Sequence, residues 1–296
     1  MITSAQEDIN DAGTEGTPTF TGNVGAPDAN GRSAVTLHFN HDSHYATYLV
    51  SRNEVVLVPT DSGVGLVTAT ELRRSGTLGN GIFSGKAVGR ESRMVNNNGT
   101  EVNDASIYLI SFDGRGNLSF TGDENRGGTL TLQAMQSGTY SVNASTGRTT
   151  ISGGGGSICY PVQQNEAFCV EATSGHPGLL FFQAQAAGPF NTGSLDGQYL
   201  GGSLPQYVPT TDDTIDALFL DGIGNGGVTY SQTGPDPPLL NQTGTGTYSI
   251  DATGHLTLNV GGSPVVYGYV VGPDRFFGIS TNDDPRTLIH QKSAAP

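Results

Sequence analysis

The chain has 296 residues, enough for two or three domains, with 35% apolar residues, 14% charged residues and 44 glycines. Soluble proteins typically carry roughly 25% charged residues; polarity here comes from Ser, Thr, Asn and Gly, and short runs of Val, Ile, Leu, Phe and Tyr argue against disorder. The net charge of −14 argues against a nucleic-acid partner, whose affinity rests on Lys and Arg, and the lack of any run of eighteen apolar residues argues against a transmembrane segment.

A block of about one hundred and ten residues recurs two and a half times, a period that is a whole domain and not a solenoid turn. Residues 1–75 are the incomplete copy. Ile2 through Asp8 matches Leu118 through Glu124, and Ala29-Asn30-Gly31-Arg32 matches Ser145-Thr146-Gly147-Arg148, both at an offset of 116. Only the last six strands of the repeat are expected here, roughly 3–10 to 65–73. The chain therefore reads as a fragment or a start placed at an internal Met, with an export signal lost upstream. Two exposed edges would pair with another chain, flatten against the next unit or cause aggregation. Ala34 through Phe39 alternates polar and apolar residues as a half-buried strand does. His38, His41 and His44, with Asp42 among them, follow at a hairpin connection. Imidazole is the commonest ligand of zinc, copper and nickel, but residues three apart on a strand face opposite ways. A metal site therefore needs the turn to converge them; solvated loop histidines are the other reading.

Residues 76–190 form a complete unit, starting near Gly81 and ending near Gln185, after the small polar linker at 73–80. Asp113-Gly114-Arg115-Gly116-Asn117 returns 108 residues later as Asp221-Gly222-Ile223-Gly224-Asn225. Calcium wants six to eight oxygens, which these loops supply only if Asp123 and Glu124 join; a tight turn with Gly at positive φ explains them without an ion. The run of four glycines at 153–156 reads as a flexible turn. Cys159 and Cys169 flank a hairpin centred near Gln164. Facing strand positions bring Cβ atoms to about 4.5–5.5 Å and a disulfide needs nearer 3.5–4.5 Å, so a non-hydrogen-bonded pair is required. A disulfide is the preferred reading and two free thiols the alternative. The same positions in the last unit are read as Tyr267 and Phe277.

Residues 191–296 form the second complete unit, after a linker at 186–193. Eight strands are expected at 197–204, 214–221, 226–233, 246–251, 255–261, 265–271, 275–281 and 286–292. Asp212-Asp213 and Asp283-Asp284 read as solvated loop acids. Tyr140, Tyr199, Tyr248, Tyr267 and Tyr269 fall within or at the ends of strands. Facing inward, they would either fill the interior or line a ligand cavity with their hydroxyls.

The fold expected is all-β: tandem antiparallel up-and-down meanders, each complete unit an eight-stranded small barrel, with a two-sheet sandwich as runner-up. Asp-Gly-x-Gly-Asn, then Gly-Thr-Tyr-Ser, then Ala-Thr-Gly-His/Arg, then a Tyr- and Phe-rich hairpin resembles uncharacterised Gly/Thr-rich tandem β-repeats of secreted or lipid-anchored bacterial proteins. The resemblance covers nearly the whole chain, implies export and brings no catalytic residues to carry over; no cofactor is expected. A fainter architectural likeness is to lipocalin- and avidin-like barrels, which hold one small ligand. The function expected is a non-enzymatic, exported or surface-attached repeat protein with a structural or interaction role. A barrel carrying a small apolar ligand comes second, and an enzyme of unknown type third.

Overall fold

The computed structural model describes residues 1–11, 14–62, 69–72, 74–97, 99–153, 156–172, 178–203, 213–233 and 238–293. It is all-β; among these residues the only helical turns are two short 3₁₀ segments, Asn80–Ile82 and Thr192–Ser194. The chain divides into two compact units, Met1–Thr77 and Leu78–Pro296.

The first unit is an open sheet of six antiparallel strands. Its strands are β1 (Ile2–Gln6), β4 (Thr19–Val24), β5 (Arg32–His38), β6 (Asp42–Ser51), β7 (Glu54–Pro59) and β8 (Ala69–Leu72), paired in that order. A small hairpin, β2 (Ile9–Asp11) with β3 (Thr14–Gly16), stands apart from the sheet. Val35 is buried on the face that carries Leu37, Leu49, Val55 and Leu57, where a hollow of about 430 Å³ opens beside Phe20, and Ala46 is buried on the opposite face.

The second unit holds two closed barrels of eight strands. The first barrel comprises β9 (Ser84–Asn97), β10 (Thr100–Asp113), β11 (Asn117–Arg126), β12 (Thr129–Val142), β13 (Thr149–Ser152), β14 (Ser157–Gln163), β15 (Glu166–Glu171) and β16 (Gly178–Ala184). Pairing of β16 with β9 closes it. The second comprises β17 (Asp196–Ser203), β18 (Thr214–Asp221), β19 (Asn225–Gln232), β20 (Leu239–Ile250), β21 (His255–Val260), β22 (Ser263–Gly272), β23 (Arg275–Ser280) and β24 (Thr287–Lys292), closed by β17 on β24. Closure gives every strand a neighbour on both sides, with β12 meeting β13 only over Thr139–Val142 and β20 meeting β21 only over Gly246–Ile250.

Sequence explains the turns. Asp113 Oδ1 accepts the backbone N–H groups of Arg115, Gly116 and Asn117 at 2.8, 3.0 and 2.9 Å, while Gly114 and Gly116 take φ of 74° and 120°. Asp221 repeats the arrangement with Ile223 and Asn225. β9, β10 and β12 run to 14 residues, longer than sequence periodicity suggests, and β20 starts at Leu239 rather than near 246. A bulge lets it do so: Asn241 sits at φ 51°, as Gln133 in β12 sits at 53°, and each lies beside a register shift in its pairing.

Period-two alternation sorts the side chains. In the first barrel Phe83, Phe112, Tyr140 and Phe182 meet inside, with ring centroids 5.2–5.8 Å apart, each pair adding about 0.5–1.5 kcal/mol beyond area burial. In the second barrel Tyr199, Leu220, Leu256, Val270 and Phe276 are fully buried. The alternate residues of β9 and β10, namely Val88, Ala105, Ile107 and Leu109, point outward and pack on Tyr269, Val271, Phe277 and Ile279 of the second barrel. Arg90 lies over Phe181 and Phe277, 5.2 and 5.6 Å from their ring centres.

Candidate functional site

Polar chemistry is buried in the two barrel interiors and also at the contact between the barrels, where Asp123, Asn125 and Thr287 are fully buried. In the first barrel, the strand positions that carry Ala87, Ile110 and Phe112 inward carry Glu91, Arg93, Asp104, Ser106 and Tyr108 inward too. Glu171 of β15 joins them. Arg93 donates through Nε to Asp104 at 2.9 Å and through Nη1 to Glu171 at 3.1 Å. Tyr108 donates its hydroxyl to Glu91 at 2.7 Å. Arg126 and Glu124, more exposed, pair with each other at the rim, and Arg126 reaches Asp104 at 3.3 Å. Burial pushes Glu91 up to about 7 against the pull of Arg93, and pushes Asp104 up to about 6. The cluster stitches four strands together at the end of the barrel opposite the aromatic core.

The second barrel places Asp216 and His290 in the equivalent layer. Asp216 accepts from His290 Nε2 at 2.9 Å, and the imidazole stacks on Phe276 at 4.4 Å, while its buried Nδ1 finds no partner among the described residues. Both line an apolar cavity of about 110 Å³ with Leu218, Val228, Leu258 and Leu288. That is below the roughly 300 Å³ at which pockets for drug-sized ligands begin.

Cys159 and Cys169 form a disulfide inside the first barrel, with an S–S distance of 2.02 Å and Cα atoms 3.9 Å apart. The two residues face each other across β14 and β15. The register of the last unit corrects the equivalence read from sequence. Aligning the hairpin turns gives an offset of 109 there, so the matching pair is Gly268 with Gly278. Tyr267 and Phe277 are not opposite each other; their partners are Ile279 and Tyr269.

The five tyrosines divide. Tyr140, Tyr199 and Tyr248 point inward and satisfy their hydroxyls on backbone carbonyls: Tyr140 on Phe83, Tyr199 on Pro273 and Tyr248 on Leu195. Tyr248 also borders the small cavity. Tyr267 and Tyr269 point outward, because Gly268 and Val270 take the inward positions of β22. They therefore do not line an interior. Tyr269 instead accepts from Gln133 Nε2 of the first barrel at 3.0 Å.

His38, His41 and His44 are not drawn into a metal site. Each imidazole Nδ1 has its own partner, Asp42 for His38 and Asn40 for His41 at the turn between β5 and β6, and Asp61 beyond β7 for His44, at 2.7–2.9 Å. Among the described residues no three His, Cys, Asp or Glu side chains converge as an ion requires. The Asp113 carboxylate is likewise occupied. Its hydrogen bonds, led by that from the Asn117 side chain, hold it down at about 2. Asp123 and Glu124 do not join that turn: Asp123 takes His255 at 2.6 Å and Gln133 at 2.8 Å. Of the loop acids, Asp284 pairs with Arg286 at 3.0 Å and Asp213 accepts from Ser203 at 3.4 Å. Asp212, Gly154 and Gly155 lie outside the described residues.

Sequence reasoning missed the charged cluster and both buried His–Asp pairs. The signal was strand parity: Glu91 and Arg93 lie four and six residues from inward Ala87. The chain matches no family model and no curated protein.

Proposed function

We propose that this is a non-enzymatic repeat protein with a structural or interaction role, exported or attached at the cell surface. The observation that carries the reading is that the barrel interiors are occupied by the chain's own side chains. Aromatic rings, a disulfide and an ion-paired charge cluster take up the first, and only about 110 Å³ is free in the second. The buried Cys159–Cys169 bond supports an oxidising compartment. The open sheet of the first unit supports interaction with another chain. Its six strands match β11 to β16, and the places that β9 and β10 occupy between β11 and β16 have no counterpart between β1 and β8 among the described residues. The outer edges of β1 and β8 fit pairing with a strand of a partner.

A second reading, a barrel that carries one small apolar ligand, is favoured by the cavity beside Asp216 and His290. The test is titration with an apolar fluorophore such as N-phenyl-1-naphthylamine, on the chain and on Gly244→Val, which narrows that cavity. The structural reading expects no stoichiometric uptake that the substitution removes. One equivalent bound by the chain and lost in the variant overturns it in favour of the carrier.

A further inference from the structure

We propose that the outer face of β17 and β18 docks a second copy of this chain, through the outer face of β15 and β16 of that copy's first barrel. The proposal rests on the interaction reading above and names its partner.

The contact is already present once within the chain. Val88, Ile107 and Leu109 on the outer face of β9 and β10 are 0%, 0% and 9% exposed because the second barrel covers them. The repeat carries that face forward. Val88 corresponds to Leu200, Ile107 to Ile215 and Leu109 to Ala217. Here no barrel covers them: Leu200 is 51% exposed, Ile215 69% and the neighbouring Phe219 55%. Register makes them one patch, since Leu200 faces Ala217, Gly202 faces Ile215 and Gln198 faces Phe219 across the strand pair. A contiguous exposed apolar patch marks an interaction site.

The complementary face also exists uncovered. In the second barrel Phe277 and Thr287, on the surface that receives β9 and β10, are 1% and 0% exposed. Their counterparts in the first barrel are Phe168 and Leu179, which are 38% and 62% exposed. The chain thus displays one half of an interface it has already built and, at Phe168 and Leu179 of β15 and β16, the part of the other half that is free; Val162, the counterpart of Val271, is itself buried.

The margin of the contact is repeated as well. Gln133, in left-handed conformation, gives its backbone N–H to Asp123 Oδ1 at 2.8 Å and its amide to Tyr269 of the next barrel. Asn241, 108 residues on and equally left-handed, gives its N–H to Ser231 Oγ at 3.1 Å. Ser231 corresponds to Asp123. The left-handed residue and its backbone tie to the neighbouring strand are therefore kept in the barrel whose face is free. Because the two faces differ, the contact is heterologous and does not close on itself in a two-fold dimer; copies add head to tail.

Sedimentation velocity of the full chain, Phe219→Asp and Leu179→Asp tests this. Wild type is expected to sediment faster as concentration rises through the micromolar range. Each variant alone is expected to stay monomeric, because each has lost one face. Their equimolar mixture is expected to give a species of twice the monomer mass and nothing larger, since one intact contact remains. Ile215→Asp replaces Phe219→Asp if circular dichroism shows that variant unfolded. A monomeric wild type, a variant that still associates, or a mixture that does not form the dimer overturns the proposal. A monomer that takes up no small molecule removes this contact and leaves the structural reading standing; stoichiometric loss-sensitive uptake removes the reading itself.

Discussion

Tyr140 donates its hydroxyl to the carbonyl of Phe83 at 2.7 Å, tying mid-barrel strand β12 to the 3₁₀ turn that leads into β9. The last unit repeats the tie between Tyr248 and Leu195 at 2.9 Å. In both barrels a second carbonyl of the same turn accepts from the same hydroxyl, Asn80 at 3.0 Å and Thr192 at 3.1 Å. The tyrosine thus fills the interior with its ring and fastens the barrel entrance with its oxygen. Tyr140→Phe and Tyr248→Phe are each expected to cost about 1 kcal/mol, the worth of a typical intramolecular hydrogen bond. The two effects should add, because the residues share no partners. Guanidinium denaturation of the single and double variants measures both quantities.

Stability should fall as the pH rises from about 5 to 8. Glu91, facing Arg93, Glu171, Asp104 and the Tyr108 hydroxyl, has its carboxyl raised from 4.5 to about 7 by burial, and Asp104 shifts the same way to about 6. A group raised in the folded state binds its proton more tightly there. Its contribution is full below the unfolded value and lost as the pH rises through the folded one. For Glu91 alone this is roughly 3 kcal/mol. Thermal melts across that range should show the decline, and Glu91→Gln should flatten it. A melting temperature that rises from pH 5 to 8 in both proteins contradicts the assignment.

Loss of the Cys159–Cys169 bond should weaken the first barrel. The bond closes a short loop, for which chain entropy gives about 2–3 kcal/mol. The Cys159→Ala, Cys169→Ala double variant is expected to lose that amount. Reductant should move the wild-type denaturation midpoint towards that of the variant and leave the variant unchanged.

Two glycines of β20 should respond oppositely to a methyl group. At Gly246 a Cβ would lie 2.0 Å from the carbonyl oxygen of Asn259, as one at Gly138 would from Ser152. At Gly244 the nearest atom is Val228 Cγ1 at 3.4 Å, an ordinary contact on the wall of the cavity. Gly246→Ala is expected to destabilise by about 2–3 kcal/mol through forced backbone movement. Gly244→Ala should stabilise by about 0.5 kcal/mol, since glycine within a strand is itself unfavourable. Paired thermal melts decide the sign of each.

Strand positions were legible because alternation and Asp-Gly turns are local. β18 runs over 214–221 as expected, and β24 over 287–292. The early start of β20 was hidden, because its extension passes through Asn241 and a run of Thr and Gly with no apolar alternation. The disulfide was legible from hairpin symmetry. Tyr267 and Tyr269 were not: period two places them on one face but does not say whether that face is the interior or another barrel. The Glu91–Arg93–Asp104–Glu171 cluster stayed hidden for a related reason. Charged residues at alternate positions read as a solvated face until barrel closure turns that face inward.

Native mass spectrometry of the chain after incubation with an extract of its source tests the central claim most directly. A structural module is expected to keep a bare mass, two daltons below the fully reduced value because of the single disulfide. A retained mass excess of one small molecule per chain would contradict that account and identify the ligand class of a carrier.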